Sequence, residues 1–497
     1  MNRDLAHGTV VRLLPSTWRG EEGRALYGGS PIRMLFLRPA AVDLLGDGEL
    51  VVDSPQSARL ARLLLDRGLA EIAWAPPRLT DSDVTVVIPV KDRADALARL
   101  LRALPGLRVI VVDDGSADPV ATKEVAARAG ADLLRHEESR GPATARNTGL
   151  RAVRTELVAF VDSDVVPHEG WLDPLLVQLG DPAVGVVAPR IRALEHGAAR
   201  GRVERYEAVR SSLDLGGAAA TVVPGGKVPY VPSACLVGRT LVLGAGFDET
   251  MLVGEDVDLI WRTVQRGWLV RYVPEAQVAH EHRVAAAGWL GRKAFYGTSA
   301  APLAMRHHDA VAPVVAGPLT LAVGLAMLVQ RPWAFGVGAG VGAVVVAGTA
   351  RKMRQSARPW AVAGRLVPYG LAASAQQCAA AMNRHWWPVM IPAAVMSRRV
   401  RRAWVAAALV EGLVDWSRTR PELDPLTYTA LRRLDDLAYG AGLWWGALQH
   451  STTAPLRPAL VRPERPGRLR RGPERPAEGR DLRWPGTWRR GTGTHRR

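Results

Sequence analysis

The sequence predicts an α/β fold built around a mixed, Rossmann-like sheet with helices on its faces. From residue 84 onward, apolar strand-like segments alternate with segments of helical apolar spacing, which is typical of doubly wound sheets. Acidic residues directly follow two of these segments, at the sheet edge where such folds bind their ligands. The 497 residues also leave length for a smaller unit before this sheet and a helical region after it.

Residues 1–80 are predicted to form the first small unit. Residues 32–37 and 69–73 are strand-like, and residues 39–45 and 55–68 have the apolar spacing of helices. The first 14 residues have neither the long apolar core nor the cleavage site of a secretory signal, so we expect no export by that route.

Residues 81–300 are predicted to form the main α/β unit. Residues 84–89, 109–112 and 157–161 are short apolar segments, as expected for strands buried on both faces of a parallel sheet. Helical patterns over residues 97–104 and 122–129 follow the first two of them.

Residues 301–355 are predicted to form a transmembrane hairpin. Residues 310–330 and 332–350 carry no charged side chain, and about 20 apolar residues span a bilayer. Basic residues flank the hairpin on both outer sides, so the positive-inside rule places both ends in the cytoplasm. We therefore expect a multi-pass plasma-membrane protein with residues 81–300 in the cytoplasm. Two buried helices of a soluble protein are the alternative.

The last part of the chain is predicted to be a membrane-associated helical region (356–455) followed by a disordered basic tail (456–497). Within the helical region, residues 385–397 are apolar but too short to cross a bilayer. The tail contains 13 Arg and 4 acidic residues, which favours contact with anionic lipid headgroups.

The charge and cysteine content exclude several classes of protein. The formal net charge is +17, but residues 1–300 contain 36 basic and 37 acidic residues, so the excess lies after residue 300. This distribution favours a membrane surface over nucleic acid as the partner. The two cysteines, Cys235 and Cys378, are too few for a disulfide framework or a cysteine-based zinc site, so a reducing compartment is expected.

Asp162 and Asp164 are the first candidate site residues. They follow the apolar segment 157–161, and alternate side chains of an extended segment share a face. Two carboxylates in this arrangement suit Mg²⁺ or Mn²⁺, with water and phosphate oxygens as further ligands. A charged turn is the alternative, but the position directly after a buried strand favours the metal site.

Asp113 and Asp114 end the second strand-like segment and precede a Gly-Ser pair. A carboxylate at this position can hydrogen-bond the base or ribose of a nucleotide. Capping of the next helix by Ser116 or Asp118 is the alternative.

Two further segments are candidates for the same ligand. Pro89 and Asp92 occupy the corresponding position after the first strand. Residues 141–149 begin a helix of small residues close to Arg140 and Arg146, and such a helix N-terminus can hold a pyrophosphate. Solvated surface arginines are the alternative.

An acidic pair and two histidines complete the candidates. Glu255 and Asp256 lie where a loop enters a helix, and one of them can act as a general base; helix capping is the alternative. His280 and His282 follow a strand-like segment, and either can complete a metal site.

Over residues 82–285, the order of these motifs resembles that of the family 2 inverting glycosyltransferases, which have the GT-A fold. The resemblance implies a nucleotide pocket lined by Pro89, Asp92 and Asp114. The Gln-x-x-Arg-Trp motif of many processive synthases is absent, and residues 265–268 are a poor substitute for it. Chain-threading polymerisation is therefore not expected, although stepwise addition of several sugars is.

The same resemblance assigns roles to the acidic pairs. Asp164, together with Asp162, would hold the metal on a sugar-diphosphate donor. Asp256 would take the proton of the acceptor hydroxyl, so that an α-linked donor gives a β-linked product.

The whole chain resembles, more narrowly, the mycofactocin-system glycosyltransferases. The resemblance rests on residues 27–80, 230–235 and 247–259 and on the apolar hairpin after residues 280–283. It implies transfer of glucose from UDP-glucose, in β-1,4-linked chains, to a redox cofactor made from a ribosomal peptide. The first unit resembles winged-helix-like modules that bind precursor peptides, so a precursor peptide or maturation proteins are further candidate partners.

Two other functions are compatible with parts of the sequence. A family 2 enzyme acting on a lipid-linked or cell-wall glycan would use the same donor chemistry, and its hairpin would hold it near a lipid substrate. A basic nucleic-acid-binding or scaffold protein would explain the net charge, but the neutral balance of residues 1–300 argues against it.

Overall fold

The computed structural model describes residues 3–30, 32–194, 201–281, 285–317, 329–353 and 355–460. His282, residues 318–328 of the first predicted membrane span and residues 461–497 of the predicted tail lie outside these ranges.

The first unit contains six short strands and two helices. They are Val10–Leu13 (β1), Trp18–Gly20 (β2), Ala25–Gly28 (β3), Arg33–Phe36 (β4), Pro39–Leu45 (α1), Glu49–Val51 (β5), Pro55–Asp66 (α2) and Ala70–Trp74 (β6). The strands form two antiparallel sheets, ordered β5-β1-β6 and β2-β3-β4. Both helices and two of the strands match the predicted segments. Strands β1, β2, β3 and β5 were not predicted, and the winged-helix character of the unit stays a prediction.

Helix α2 shows why this unit folds. Ser54 caps its N-terminus by accepting the backbone N–H of Ser57 (3.2 Å). Its apolar residues Leu60, Leu64 and Leu65 lie on one side and are buried in the hydrophobic core of the unit.

The main unit is a nine-stranded mixed sheet. Its strands are Val84–Val90 (β7), Arg108–Asp114 (β8), Asp132–His136 (β9), Leu157–Val161 (β10), Val165–Pro167 (β11), Val184–Ala193 (β12), Ala220–Thr221 (β13), Cys235–Arg239 (β14) and Leu269–His280 (β15). The order is β11-β15-β12-β14-β10-β7-β8-β9, and β13 pairs with β15. Within the series β10-β7-β8-β9, each strand is parallel to the next. Strand β14, by contrast, is antiparallel to both β10 and β12.

Helices cover both faces of this sheet. They are Ala94–Arg102 (α3), Pro119–Arg128 (α4), Pro142–Ala152 (α5), Asp173–Leu179 (α6), Arg202–Arg210 (α7), Thr240–Leu243 (α8) and Glu255–Gln265 (α9). Two separate hydrophobic clusters lie on opposite faces, because successive residues of each strand point to opposite sides. The predicted α/β fold with a mixed sheet is therefore confirmed.

Helices dominate the described residues after the sheet. They are Ala286–Thr298 (α10), Ala300–His307 (α11), Pro332–Lys352 (α12), Pro359–Arg384 (α13), Trp387–Met396 (α14), Arg398–Thr419 (α15) and Pro425–Gln449 (α16). Val315–Ala316 (β16) and Ala459–Leu460 (β17) form a short parallel pair. Strand β17 thus lies within the first residues of the predicted tail.

A buried charge cluster, formed by Glu207, Lys293, Arg384, Asp435 and Asp436, joins these helices to the sheet unit. The Lys293 Nζ lies 2.9 Å from Glu207 Oε1 on α7 and 3.3 Å from Asp435 Oδ2 on α16. The Arg384 Nη1 lies 3.6 Å from Asp435 Oδ1 and 3.4 Å from Asp436 Oδ1. Because buried charges are stable only when paired, α7, α10, α13 and α16 depend on one another.

The predicted transmembrane hairpin is not supported as such. Helix α12 matches the second predicted span, and among the described residues it alone is long and apolar enough to cross a membrane, with 17% of its most apolar window buried. The first predicted span, residues 310–330, begins differently: a 3₁₀ turn ends at Val311 and strand β16 follows. A multi-pass arrangement therefore has no support in the described residues, and one such helix is weak evidence for a membrane span.

Candidate active site

The carboxyl ends of β7, β8 and β10 meet at one edge of the sheet, because these strands are parallel neighbours. Asp92 follows β7 in the left-handed region (φ 54°), where an aspartate is tolerated better than most residues. Its Oδ1 accepts the N–H of Ala117 (2.7 Å), and its own N–H donates to Ser116 Oγ (2.9 Å). Asp92 thereby joins the loops that follow β7 and β8.

Asp114 at the end of β8 is saturated with hydrogen bonds. Its Oδ1 lies 2.8 Å from His136 Nδ1 and accepts the N–H of Arg140 (2.8 Å), while Oδ2 accepts from the Ser139 hydroxyl and the Gly141 N–H (both 2.9 Å). Burial opposes ionisation, but these bonds outweigh it and hold the pKa of Asp114 below its ordinary value. A carboxylate accepts about four hydrogen bonds, so Asp114 positions the start of α5 in this structure.

Asp113 is fully buried and is bound to Arg135 and to the N–H of Ser116 (2.9 Å). The side chain of Arg140, by contrast, is exposed at the start of α5. The nucleotide contacts predicted for Asp113, Asp114 and Arg140 therefore stay predictions, and the two aspartates already have partners within the protein.

Asp162 and Asp164 follow β10, as predicted. The N–H of Asp162 donates to the Ala234 carbonyl (2.9 Å), which fixes the turn after the strand. Asp164 is paired with Arg93, and its Oδ1 lies 3.5 Å from Nε2 of His280 at the end of β15. The structure thus brings three of the four predicted metal ligands to one edge of the sheet, and the fourth, His282, lies outside the described residues.

Arg146 connects these aspartates with the acidic pair on α9. Its guanidinium is buried, donates to Asp162 Oδ1 (2.6 Å) and Glu255 Oε1 (3.2 Å), and lies 5.3 Å from the ring centroid of Phe247. Burial opposes its charge, but Asp162 and Glu255 outweigh that effect and raise the pKa of Arg146. The predicted pyrophosphate contact of Arg146 stays a prediction.

Glu255 and Asp256 form the first turn of α9, which follows Gly254 in the left-handed conformation (φ 83°). A side chain at Gly254 would clash with Ser299, since its Cβ would lie 2.9 Å from the Ser299 Cβ. Burial, followed by repulsion from Asp256, raises the pKa of Glu255 to about 7.

Asp256 is held by two backbone donors. Its Oδ1 accepts the N–H of Val257 (2.8 Å) and its Oδ2 that of Ser233 (3.2 Å). Burial raises the pKa of Asp256 despite these hydrogen bonds. A carboxylate with a raised pKa is a better proton acceptor near neutral pH, as a general base requires.

A cleft of about 550 Å³ adjoins this edge, between the N-termini of α3 and α4. Asp92, Arg93 and Arg99 contribute to its walls, and Arg99 is paired with Glu281, which lines the cleft as well. Its walls also include the carboxylates of Asp95 and Asp118. Arg99 lies in the last turn of α3, so Arg93, at the N-terminus of α3, is the cation placed where a helix N-terminus favours an anionic ligand such as a diphosphate. Arg93 was not among the predicted site residues, although its position next to Asp92 was a signal for it.

The carboxylates fit a divalent metal only together with further ligands. In the part of the chain that the structure describes, no three His, Cys, Asp or Glu side chains are grouped closely enough to hold an ion. Asp162 and Asp164 supply the hard oxygen ligands that Mg²⁺ and Mn²⁺ prefer, and phosphate oxygens of a donor would complete the shell.

The chain is similar to several known proteins. Residues 85–244 match the family model described as Glycosyl transferase family 2. The pre-mycofactocin glycosyltransferase of Mycobacterium tuberculosis is 48% identical over 457 residues, which cover 88% of this chain and 95% of that protein. The succinoglycan biosynthesis protein ExoU of Rhizobium meliloti is 30% identical over 200 residues, covering 37% and 58%. Among solved structures, the mannosyltransferase PcManGT from Pyrobaculum calidifontis, in complex with GDP-Man and Mn²⁺, is 19% identical, covers 73% of this chain and 90% of that one, and has a TM-score of 0.36.

Proposed function

The chain belongs to the pre-mycofactocin glycosyltransferases of family 2, and we propose that it transfers glucose from UDP-glucose to a peptide-derived redox cofactor. We propose further that it inverts the anomeric centre and adds sugars stepwise in β-1,4 linkage. The single observation that supports this most is the connection of Asp162 to the Glu255–Asp256 pair through the buried Arg146. It supports the proposal because it brings a residue proposed to bind the donor's metal close to the pair that includes the proposed base.

The donor would occupy the cleft beside Asp92 and Arg93. In this proposal Pro89, Asp113, Asp114 and Arg140 lie on the nucleotide side of the site, and Arg93 faces the diphosphate. Asp162 and Asp164 would hold Mg²⁺ or Mn²⁺, which offsets the charge of the departing nucleoside diphosphate.

Asp256 would accept the proton of the acceptor hydroxyl as the new glycosidic bond forms. The oxygen attacks the anomeric carbon from the face opposite the nucleoside diphosphate, so an α-linked donor gives a β-linked product. The backbone N–H groups of Val257 and Ser233 orient the carboxylate, and burial keeps it a stronger base than an exposed aspartate.

Membrane association is part of the proposal. Helix α12 exposes Trp333, Phe335 and Val344, and the short helix α14 exposes Val395 and Met396. Exposed apolar surface of this kind is expected where a protein contacts lipid. If the proposal is right, the full chain will remain in the membrane pellet after washing with 1 M salt and will be released by detergent; release by salt alone contradicts it.

Mass spectrometry tests the transfer. Membranes containing the protein are incubated with UDP-glucose, Mn²⁺ and the peptide-derived cofactor, and the aqueous small molecules are analysed. We expect a ladder of hexose increments that is lost with EDTA and falls at least about 100-fold in Asp256→Asn. Asp173→Asn, an exposed carboxylate in the first turn of α6, is the matched control and should retain full activity.

Near wild-type transfer by Asp256→Asn contradicts the assigned base, and an unchanged rate in EDTA contradicts the metal. A second outcome identifies another acceptor. If UDP-glucose is consumed and label moves to the organic phase, the acceptor is a lipid-linked glycan, which the exposed apolar helices also favour.

A further inference from the structure

We infer that helices α15 and α16 lie along the membrane surface, with apolar stripes in contact with lipid and the arginines at the start of α15 in contact with anionic headgroups. The inference rests on the proposed function, because it extends the membrane association proposed for α12 and α14 to the helices that pack against the main unit.

Helix α16 has large apolar residues on its outer side and charged residues on its inner side. The exposed apolar residues recur at intervals of eight and three positions, so they lie within about 100° around the helix axis. They are Leu426, Leu434, Leu437, Trp445 and Leu448, the α16 stripe. Asp435 and Asp436 are buried on the other side, in the buried charge cluster. A surface helix in water has the opposite arrangement, so the stripe is suited to an apolar environment.

Helix α15 is arranged in the same way. Its exposed apolar residues lie on one side and are Val405, Leu409, Val410, Leu413 and Val414, the α15 stripe. On the opposite side, Glu411 and Asp415 are buried and lie 2.9 Å and 3.6 Å from nitrogen atoms of Arg432 on α16. Because the charges are held between the two helices, their apolar residues are left facing outward.

The inner side of α16 is covered by protein, which places the helix along the membrane and not across it. A Cβ at Gly442 would lie 1.7 Å, and one at Gly446 2.7 Å, from carbonyl oxygens of α10. On α7 of the main unit, the hydroxyl of Tyr206 reaches Asp435 at 3.1 Å. A helix fixed against the main unit in this way cannot cross a bilayer at the same time. The α16 stripe, about 33 Å long, therefore offers one side of an interfacial helix to lipid.

The charges next to the α15 stripe indicate which kind of surface it meets. Arg398, Arg399 and Arg402 are exposed, and in the described part of the chain no carboxylate is paired with any of them. They lie between the exposed Met396 of α14 and the α15 stripe, so apolar and basic groups alternate along this surface. Apolar side chains next to arginines match a bilayer that contains anionic lipids.

Nitroxide labels on the full chain in lipid nanodiscs test the contact with lipid. The labels are attached to Leu409→Cys and Leu434→Cys in a Cys378→Ala background, since Cys235 is buried. Collisions of each label with oxygen, which enters lipid, are compared with collisions with a polar nickel chelate, which stays in water. We expect the ratio to be at least about fivefold higher than at the control Val120→Cys, because hydrocarbon excludes a polar complex. Val120 is exposed on α4 of the main unit.

Two results overturn the inference. A ratio equal to that of the control shows that the stripes face water. Few collisions with either reagent, together with dipolar broadening of the spectrum, show that a second copy of the chain covers the stripes.

Labelled lipids test the headgroup charge. Energy transfer from the tryptophans of the protein to dansyl-phosphatidylglycerol should exceed transfer to dansyl-phosphatidylcholine. We expect the preference to fall at least about fivefold when Arg398, Arg399 and Arg402 are all replaced by Gln, since one arginine near an anionic surface contributes about this factor. The control replaces three exposed arginines of the main unit, Arg102, Arg108 and Arg154. An unchanged preference in the first variant, or an equal fall in the control, overturns the assignment to anionic headgroups.

The same preparations separate this inference from the proposed function. Labels that contact lipid in a protein without hexose transfer support the inference and contradict the proposed transfer. Labels that face water, in a chain that nevertheless stays in the membrane pellet after the salt wash, overturn the inference and leave the proposed association through α12 in place.

Discussion

Replacing Glu255 by Gln tests whether a proton is held on this side chain at neutral pH. Glu255 is buried, accepts a hydrogen bond from Arg146 and lies beside Asp256. Glutamine keeps the size and the acceptor oxygen of the protonated acid but cannot ionise. The substitution therefore removes only the ability of this side chain to gain or lose a proton.

The expected change in the free energy of unfolding follows from the pKa of Glu255. The ordinary value for this carboxyl is 4.5, and the folded protein raises it to about 7. Between these values the folded state holds a proton that the unfolded state has lost, so the free energy of unfolding falls as the pH rises. At about 1.4 kcal/mol per pKa unit, the loss between pH 4.5 and pH 8 is about 3 kcal/mol. The Glu255→Gln variant should not show this pH-dependent loss in the free energy of unfolding.

Urea denaturation followed by tryptophan fluorescence, at pH 5, 6, 7 and 8, measures this difference. Glu249→Gln is the control, because hydrogen bonds, first from Asn147, lower the pKa of Glu249. The stability that Glu249 contributes is lost only as the pH falls through its lowered pKa, below this range. Parallel curves for wild type and Glu255→Gln would show that Glu255 is already ionised at pH 5, and the reasoning would fail.

Two further substitutions test the loops that support the site. Gly115→Ala should weaken UDP binding about tenfold or more, because Gly115 has φ 72° and the new Cβ would lie 2.7 Å from the N of Ser139; calorimetry checks this, and unchanged affinity contradicts it. Asp258→Asn should lower the free energy of unfolding by about 2 kcal/mol, because Asp258 is buried and accepts from Arg262 (2.7 Å) and His307 (2.9 Å). An equal fall in the free energy of unfolding in Asp43→Asn, a control at an exposed position, would contradict a specific role for Asp258.

The strand ends of the active edge could be predicted because each apolar segment stops at an acidic residue. The apolar segments that end before Asp113 and Asp162 predicted the bounds of β8 and β10 to within two residues. The antiparallel insertion of β14 between β10 and β12 could not be predicted, because strand order depends on contacts between distant segments.

The burial of Arg146 was missed for a physical reason. Helical periodicity shows that residues 142–152 form a helix, but a helix rich in small residues has only a weakly defined apolar face. Gly149 was the residue from which the close packing of this helix could have been inferred. A Cβ there would lie 2.3 Å from a methyl carbon of Val87, so α5 lies directly on the sheet.

The first predicted membrane span begins with residues that are not helical. Residues 310–317 are uncharged, yet they form a 3₁₀ turn and strand β16, which pairs with β17 far along the chain. The burial of Asp435 and Asp436 on α16 could likewise not be predicted from the sequence. A sequence does not show which charges are paired.

The buried charge cluster has a practical consequence for protein production. Cutting the chain after residue 300 to obtain a soluble enzyme would remove Asp435 on α16, so Lys293 would keep Glu207 but lose its second carboxylate partner. Tyr206 would lose the same carboxylate, which its hydroxyl reaches at 3.1 Å. A shortened chain of this kind should aggregate or fail to fold. Solubility is better sought by replacing the outward-facing apolar residues of α12 and α14 while the interior of the C-terminal helices is left intact.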